Sequence, residues 1–266
     1  MRVILHLFLM LFFCYGLIGC STKSVNNEKV NTAYELIGRI IPKHANQFII
    51  DIEENDTLDW FGITAKKDRI LLRGNSGVSI ASALYYYLKE YCHCQITWNG
   101  TNLKLPEKLP VVEGEIRKES PYEYRYYLNY CTFNYTMSWW DWERWEKEID
   151  WMALHGINMP LSITGEEYIW DQVYRSYGFK DEDLDPFFSG PAYFSWFWMG
   201  NLDGWGGPLP KSWKESHRDL QLKILQRERE LGMKPVLPAF TGHVPASFKK
   251  YFPSANLKQT NWGNTF

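Results

Sequence analysis

The most constraining feature of this chain is an echo. Gly156-Ile-Asn, an apolar run from Met159 to Ile163 and Thr164-Gly165-Glu166 reappear as Gly232-Met-Lys, an apolar run from Pro235 to Phe240 and Thr241-Gly242-His243. A helix pattern precedes each copy. Ahead of the first, Trp142, Trp145, Ile149 and Met152 recur at three- and four-residue spacing to form one stripe, with Ser138 or Asp141 able to cap the helix. Ahead of the second, Leu220, Ile224 and Leu231 share one side of a helix opened by Ser212-Trp-Lys-Glu215, a capping box. The glycine at each helix end can take the left-handed conformation that frees the chain. Compact, uncharged runs then read as strands buried on both faces, and a further strand reads over Tyr124 to Asn129. Helix, glycine and strand in series are successive steps of a parallel βα array, whose natural completion is a (β/α)8 barrel. Such an array places chemistry at the carboxyl ends of its strands. Thr164-Gly165-Glu166-Glu167 falls there.

Residues 31–118 carry a different pattern and read as a small α/β domain of their own. Ala33 to Ile41 and Val78 to Tyr91 are helical, Gln47 to Ile52, Gly62 to Ala65 and Ile70 to Arg73 are strands, and Gln95 to Trp98 closes the pattern. Gly74-Asn75-Ser76-Gly77 lacks the lysine a phosphate loop requires, so it is a turn and a helix cap. Pro106, Pro110 and the charged stretch Glu113 to Glu119 mark a linker to the second domain, 121–266.

At the start, Met1-Arg2 is a short basic region and Val3 to Ile18 an apolar run too short for a spanning helix. Leu17-Ile18-Gly19-Cys20 has the form of a bacterial lipobox, which makes residues 1–20 a lipoprotein signal peptide, Cys20 the lipidated N-terminus and residues 21–30 a tether. The expected location is a bacterial membrane, periplasmic or cell-surface, reached through lipid alone. Cys92-His93-Cys94 has no second ligand pair at zinc-finger spacing, so it reads as incidental cysteines on a strand edge, with no metal expected. A formal net charge of -2 with mixed signs offers no basic patch for nucleic acid.

Of 13 tryptophans, 11 lie between Trp139 and Trp262. Indole faces fill cores and also stack on the C–H faces of sugars. The helical spacing of Trp142, Trp145 and Trp151 favours core. Trp196, Trp205 and Trp262 fall in Gly- and Pro-rich loops, where a binding surface explains them better. The aperiodic stretch from Ser189 to Pro210 is long enough for a functional loop.

Arg125-Tyr-Tyr-x-Asn-x-Cys131, Trp139-Trp-Asp-Trp142, Glu148-Ile-Asp-Trp-Met-Ala-Leu154, Gly156-Ile-Asn158, Phe188-x-Gly-Pro-Ala192, Met199-Gly-Asn-Leu202, Gly207-Pro-Leu-Pro210 and Pro235-Val-Leu-Pro-Ala-Phe-x-Gly-His-Val-Pro245 together resemble the α-N-acetylglucosaminidases of glycoside hydrolase family 89. Residues 30–115 are similar to that family's small N-terminal domain. The resemblance implies removal of terminal α-linked N-acetylglucosamine from glycans with retention at the anomeric carbon, without a cofactor. By matching position it implies that Asn129, Cys131, Trp196, Met199 and Trp262 line the sugar pocket. His243 joins them from its place after the third strand.

Retaining hydrolysis needs two carboxylates about 5 Å apart, and the resemblance puts that pair on later barrel strands. Residues 121–266 fall well short of the about 250 of a full barrel, so the expected object is an incomplete barrel, an N-terminal part of the enzyme, inactive alone. Glu166, Glu167, Asp171 and Asp203 are the carboxylates near the expected catalytic edge. Caps and hydrogen-bond acceptors are commoner uses of such residues, so no catalytic residue is assigned among them. A surface glycan-binding lipoprotein without hydrolysis and a purely structural interaction module are the competing readings.

Overall fold

The computed structural model describes residues 28–53, 58–260 and 265–266. The predicted signal peptide, Cys20 and Trp262 lie outside the described residues. No described helix is long and apolar enough to cross a membrane. The chain divides into two compact units, one formed by residues up to Arg125 with 150–158 and 229–233, the other by 126–149, 159–228 and 234–266.

In the first unit, helix α1 (28–40) buries Ala33, Leu36 and Ile37. Strands β1 (Phe48–Ile52), β2 (Trp60–Lys66) and β3 (Arg69–Gly74) and helix α2 (Gly77–Glu90) follow as the sequence predicts. The Ser76 hydroxyl caps α2 by accepting from the Ser79 amide at 3.0 Å, and α2 packs on β2 and β3. Two expectations are corrected. Strand β4 (Gln95–Thr97) pairs only with β5 (Gly100–Asn102), a hairpin outside the main sheet. The stretch read as linker is instead strand β6 (Glu115–Glu119), which completes the order β1-β3-β2-β6. An edge strand draws its stability from the backbone ladder and tolerates charge on its open side. Ile116 is its one apolar side chain, and Arg117 stacks its guanidinium 3.9 Å from the Trp60 ring centre. Cys92 and Cys94 are likewise not on a strand edge. They are buried in the turn after α2.

Two residues of the motifs quoted above work as structural anchors here. Arg125 donates to the Asp59 carboxylate and to the carbonyl of Gly156. Asn158 accepts from the Arg125 amide at 2.9 Å and donates to the Glu123 carbonyl at 2.8 Å.

The second unit holds the parallel array. Strand β7 (Tyr126–Tyr127) is followed by helix α3 (Tyr130–Thr136), a 3-10 turn at Met137–Trp139, helix α4 (Trp142–Leu154) and strand β8 (Met159–Pro160). Helices α5 (Glu166–Ser176), α6 (Asp181–Leu184), α7 (Phe194–Trp198), α8 (Lys211–Glu230) and α9 (Phe248–Tyr251) complete it. β7 and β8 pair in parallel, and Leu161 bridges Val236 in the same sense. The three predicted strands therefore lie side by side in order. They are shorter than predicted, the third being a single bridge whose Leu237 and Phe240 are more than half exposed. With one edge unpaired among the described residues, its ladder has little to extend along. The echo is also conformational: Gly156 and Gly232, and Gly165 and Gly242, all have φ between 74° and 88°.

Asp141 caps α4 through the Arg144 amide at 2.9 Å, and Trp145 and Ile149 are buried as the stripe predicts. The capping box at Ser212 is not formed. α8 already begins at Lys211, and the Pro210 carbonyl accepts from the amides of Trp213 and Lys214. The acidic stretch Asp181–Leu184 forms the one-turn helix α6.

Candidate active site

The long Gly- and Pro-rich segment is built as a closed loop. The Gly190 amide donates to the Trp205 carbonyl at 2.7 Å and the Gly204 amide to the Phe187 carbonyl at 3.0 Å, so the two ends of the excursion run backbone against backbone. A Cβ on Gly190 would lie 2.2 Å from the Gly206 carbonyl oxygen, which only glycine avoids. Between these ends α7 emerges as a short helix, a departure from the aperiodic loop predicted. Trp196 therefore sits on a helix, half-buried, beside the fully buried Phe197 and Trp198. Phe133, Trp145, Phe194 and Trp198 pack as core, whereas Trp139 and Trp205 are more than half exposed.

The residues implied for the sugar pocket come from separate segments that are bonded directly to one another. Asn129 caps α3, its Oδ1 accepting from the Cys131 amide at 2.7 Å, and its side chain is exposed. The α3 backbone is tied to α7 through Ser195, whose hydroxyl donates to the Tyr130 carbonyl and whose amide donates to Asn134 Oδ1 at 2.5 Å. Asn134 in turn donates to the Pro191 carbonyl at 2.9 Å. Cys131 and Trp196 thereby stand on two adjoining helices. Met199 and Gly200 end α7, and the Thr265 hydroxyl donates to the Gly200 carbonyl at 2.7 Å. Ser195, Asn134 and Thr265 were not legible as site residues, since nothing in their neighbourhood marks a small polar side chain as a brace.

His243 is not open to a ligand in this arrangement. It is 4% exposed, its Nε2 lies 2.5 Å from Asp203 Oδ1, and the rings of Trp170, Phe187 and Phe197 surround it at centroid distances of 4.9 to 5.8 Å.

The four carboxylates divide in two. Asp171 is held by Lys214 at 2.6 Å and Arg175 at 2.7 Å, and Asp203 by His243, so both have structural partners. Glu167 is fully buried with neither oxygen hydrogen-bonded to another residue, and Oε2 of Glu166 is also enclosed without a partner, among the described residues. Burial pushes the Glu166 carboxyl up to about 8, with the neighbouring Glu167 charge adding to it. Burial pushes Glu167 up to about 7, opposed first by its own backbone amide and then by the positive charge of Lys214. No group of three His, Cys, Asp or Glu among the described residues is placed to hold a metal ion.

A cavity of about 700 Å³ in this unit lies elsewhere. It is an apolar groove lined by α5, α8 and the third-strand segment, with Ile169, Val173, Tyr177, Leu222, Leu237 and Phe240 among its walls. None of Asn129, Cys131, Trp196, Met199 and His243 lines it. Its chemistry is that of a helix-packing surface and not of a sugar site.

Two family models match the chain, the alpha-N-acetylglucosaminidase (NAGLU) tim-barrel domain over residues 125–266 and the N-terminal domain of the same family over residues 31–111. The alpha-N-acetylglucosaminidase of Homo sapiens is 48% identical over 236 residues, covering 86% of this chain and 32% of the human protein. A family 89 glycoside hydrolase from Clostridium perfringens, solved in complex with 2-acetamido-1,2-dideoxynojirmycin, superposes with a TM-score of 0.88 at 37% identity, covering 94% of this chain and 29% of that one. The same values hold for a form of that protein with two glutamates replaced by glutamine, in complex with its substrate GlcNAc-alpha-1,4-galactose. The chain thus spans about a third of the length of these relatives.

Proposed function

The chain belongs to the α-N-acetylglucosaminidase family, glycoside hydrolase family 89, and from that membership we propose that it forms the N-terminal part of a retaining exo-glycosidase. Its reaction is removal of terminal α-linked N-acetylglucosamine from glycans. The observation that supports this use of the fold is the direct bonding of α3 to α7 through Ser195, which sets the helices bearing Cys131 and Trp196 against each other at the carboxyl edge of the parallel strands.

This chain contributes one wall of the pocket. The Asn129 side chain spends Oδ1 on the α3 cap and has an Nδ2 donor left for a sugar oxygen. Trp196 offers an indole for stacking, and Cys131 and Met199 offer soft apolar contact. Cleavage also needs an acid for the leaving oxygen and a nucleophile for the anomeric carbon. Asp171 and Asp203 are occupied in pairs, and Glu167 is sealed from any substrate. We assign the two catalytic carboxylates to the part of the relatives' length that this chain does not match. A pocket wall without them recognises sugar and does not turn it over.

The test is to purify residues 21–266 and measure both N-acetylglucosamine binding by tryptophan fluorescence and release from an aryl α-N-acetylglucosaminide. Saturable binding with no turnover is expected. Turnover that Glu167→Gln abolishes would overturn the assignment, and absence of any binding would favour an interaction module. A product longer than 266 residues that hydrolyses the same substrate, expressed from the natural locus, separates a glycosidase from a glycan-binding lipoprotein. Attachment of that product to a bacterial membrane through lipid on Cys20 is proposed from Leu17 to Cys20, and mass spectrometry of detergent-extracted protein decides it. An unmodified Cys20 removes the anchor.

A further inference from the structure

We infer that Asp203, His243 and Thr265 are positioning residues of the sugar pocket, tying the α7 segment that carries Trp196 and Met199 to the stretch that follows the third strand. The inference rests on the pocket assignment proposed above and goes beyond it, since none of the three side chains is assigned to touch sugar.

Two separate ties hold the same short segment. In the first, Asp203, three residues past Gly200, faces His243 Nε2 at 2.5 Å. The imidazole is sealed among Trp170, Phe187 and Phe197, and its Nδ1 has no partner among the described residues. The Asp203 carboxylate can only accept, so the proton on Nε2 points at it. That bond is the ring's one side-chain hydrogen bond among the described residues. The backbone behind the ring is fixed as well, because the Tyr174 hydroxyl donates to the His243 carbonyl at 2.7 Å and the Val244 amide to the Phe266 carbonyl at 2.9 Å.

In the second tie, the Thr265 hydroxyl, fully buried, donates to the Gly200 carbonyl at 2.7 Å. That donation leaves the Thr265 oxygen to accept from the Thr260 hydroxyl at 2.9 Å, and the Thr260 amide donates to the Thr265 carbonyl at 2.9 Å. Hydroxyls bonded in series polarise one another, so the end of the series is a stronger donor than a lone threonine. Gly200 is wedged between the two ties: a Cβ there would touch His243 at 3.5 Å. Residues 199 and 200 are therefore fixed on one side by Thr265 and on the other by the Asp203–His243 pair. The half-buried Trp196 indole on this five-residue helix and the Met199 thioether just past it are held from the α3 side by Ser195, and the two ties hold the end that follows them. A displacement of about 1 Å in such groups is enough to cost a large factor in a positioned site.

The experiment compares residues 21–266 with Asp203→Ala, Thr265→Val and Thr265→Ser. Two quantities are read: the dissociation constant for N-acetylglucosamine by ligand-observed NMR, and amide exchange of residues 194–204. Asp203→Ala and Thr265→Val should each weaken binding about tenfold and speed exchange in 194–204. Thr265→Ser restores the hydroxyl and should recover most of the loss, a rescue that a merely structural deficit in methyl packing would not give. Equal binding by wild type and Thr265→Val, or a Thr265→Ser variant as weak as Thr265→Val, overturns the inference. If the wild-type chain binds no N-acetylglucosamine, the pocket assignment fails, and exchange alone then judges the ties. Unchanged exchange in both Asp203→Ala and Thr265→Val overturns them, and faster exchange upholds them without a sugar.

Discussion

Lys214 donates to Asp171 at 2.6 Å with both side chains almost sealed from water, and its ammonium lies 4.1 Å from the centre of the Phe188 ring. The pair joins the middle of α5 to the first turn of α8. Removing one partner leaves the other charge in a poor solvent, so Lys214→Ala should cost about 3 kcal/mol, the low end for a broken buried pair because Arg175 still holds Asp171. Replacing both, as Lys214→Met with Asp171→Leu, should recover part of that loss. Urea unfolding measures each, and losses that simply add would refute a coupled pair.

The two Thr-Gly corners have the same backbone sign but different surroundings. A Cβ on Gly165 would sit 2.6 Å from the His217 carbonyl oxygen, whereas nothing lies within 4 Å of one on Gly242. Gly242→Ala should therefore cost only the left-handed strain, about 1 kcal/mol. Gly165→Ala adds a backbone collision and should cost visibly more. Thermal unfolding of the two variants settles the order, and equal midpoints would contradict it.

Glu167 links stability to pH. Its folded value of about 7 stands above the ordinary 4.5, so the folded chain holds the proton more tightly than the unfolded one. Stability is then full below about 4.5 and falls as pH rises through 7, by a few kcal/mol at about 1.4 kcal/mol per pKa unit. Glu167→Gln should match wild type at pH 5 and melt higher at pH 8. A wild-type midpoint at pH 8 equal to that of the variant would show that the buried carboxylate has found a partner.

Asn129 has two duties that substitution can separate. Asp at this position keeps an oxygen for the Cys131 amide and loses the Nδ2 donor, so Asn129→Asp should preserve stability and lose sugar affinity. Asn129→Ala should lose both, with about 1 kcal/mol of stability gone with the cap. Circular-dichroism melts and N-acetylglucosamine titration read the two duties apart, and an Asn129→Asp variant that binds like wild type would remove Asn129 from the pocket.

Much of the fold was legible because its signals are local. The helix stripe at Trp142 to Met152, the cap at Ser76 and the releasing glycines each depend on residues within a turn of one another, and the structure bears them out. Strand β6 was missed because its evidence is its partner β2, more than fifty residues earlier, and charged side chains conceal a backbone ladder. The capping box at Ser212 misled for the opposite reason, a good local signal displaced one residue inside a helix that Pro210 starts first. The site divides the same way. Motif resemblance named Asn129, Cys131, Trp196 and Met199, while the braces that hold them, Ser195 and Thr265, act across about sixty-five residues and leave no periodic trace. Arg125 and Asn158 show the converse, for residues that carry the resemblance serve to lock backbone to backbone.

The groove between α5 and α8 makes the chain adhesive when it stands by itself. Ile169, Val173, Tyr177, Leu222, Leu237 and Phe240 present a continuous oily face, large enough to govern behaviour in solution more than the near-neutral net charge does. Handled alone, such a molecule should behave colloidally like a surfactant, taking up environment-sensitive dyes, coating hydrophobic resins and crowding into clusters as its concentration rises.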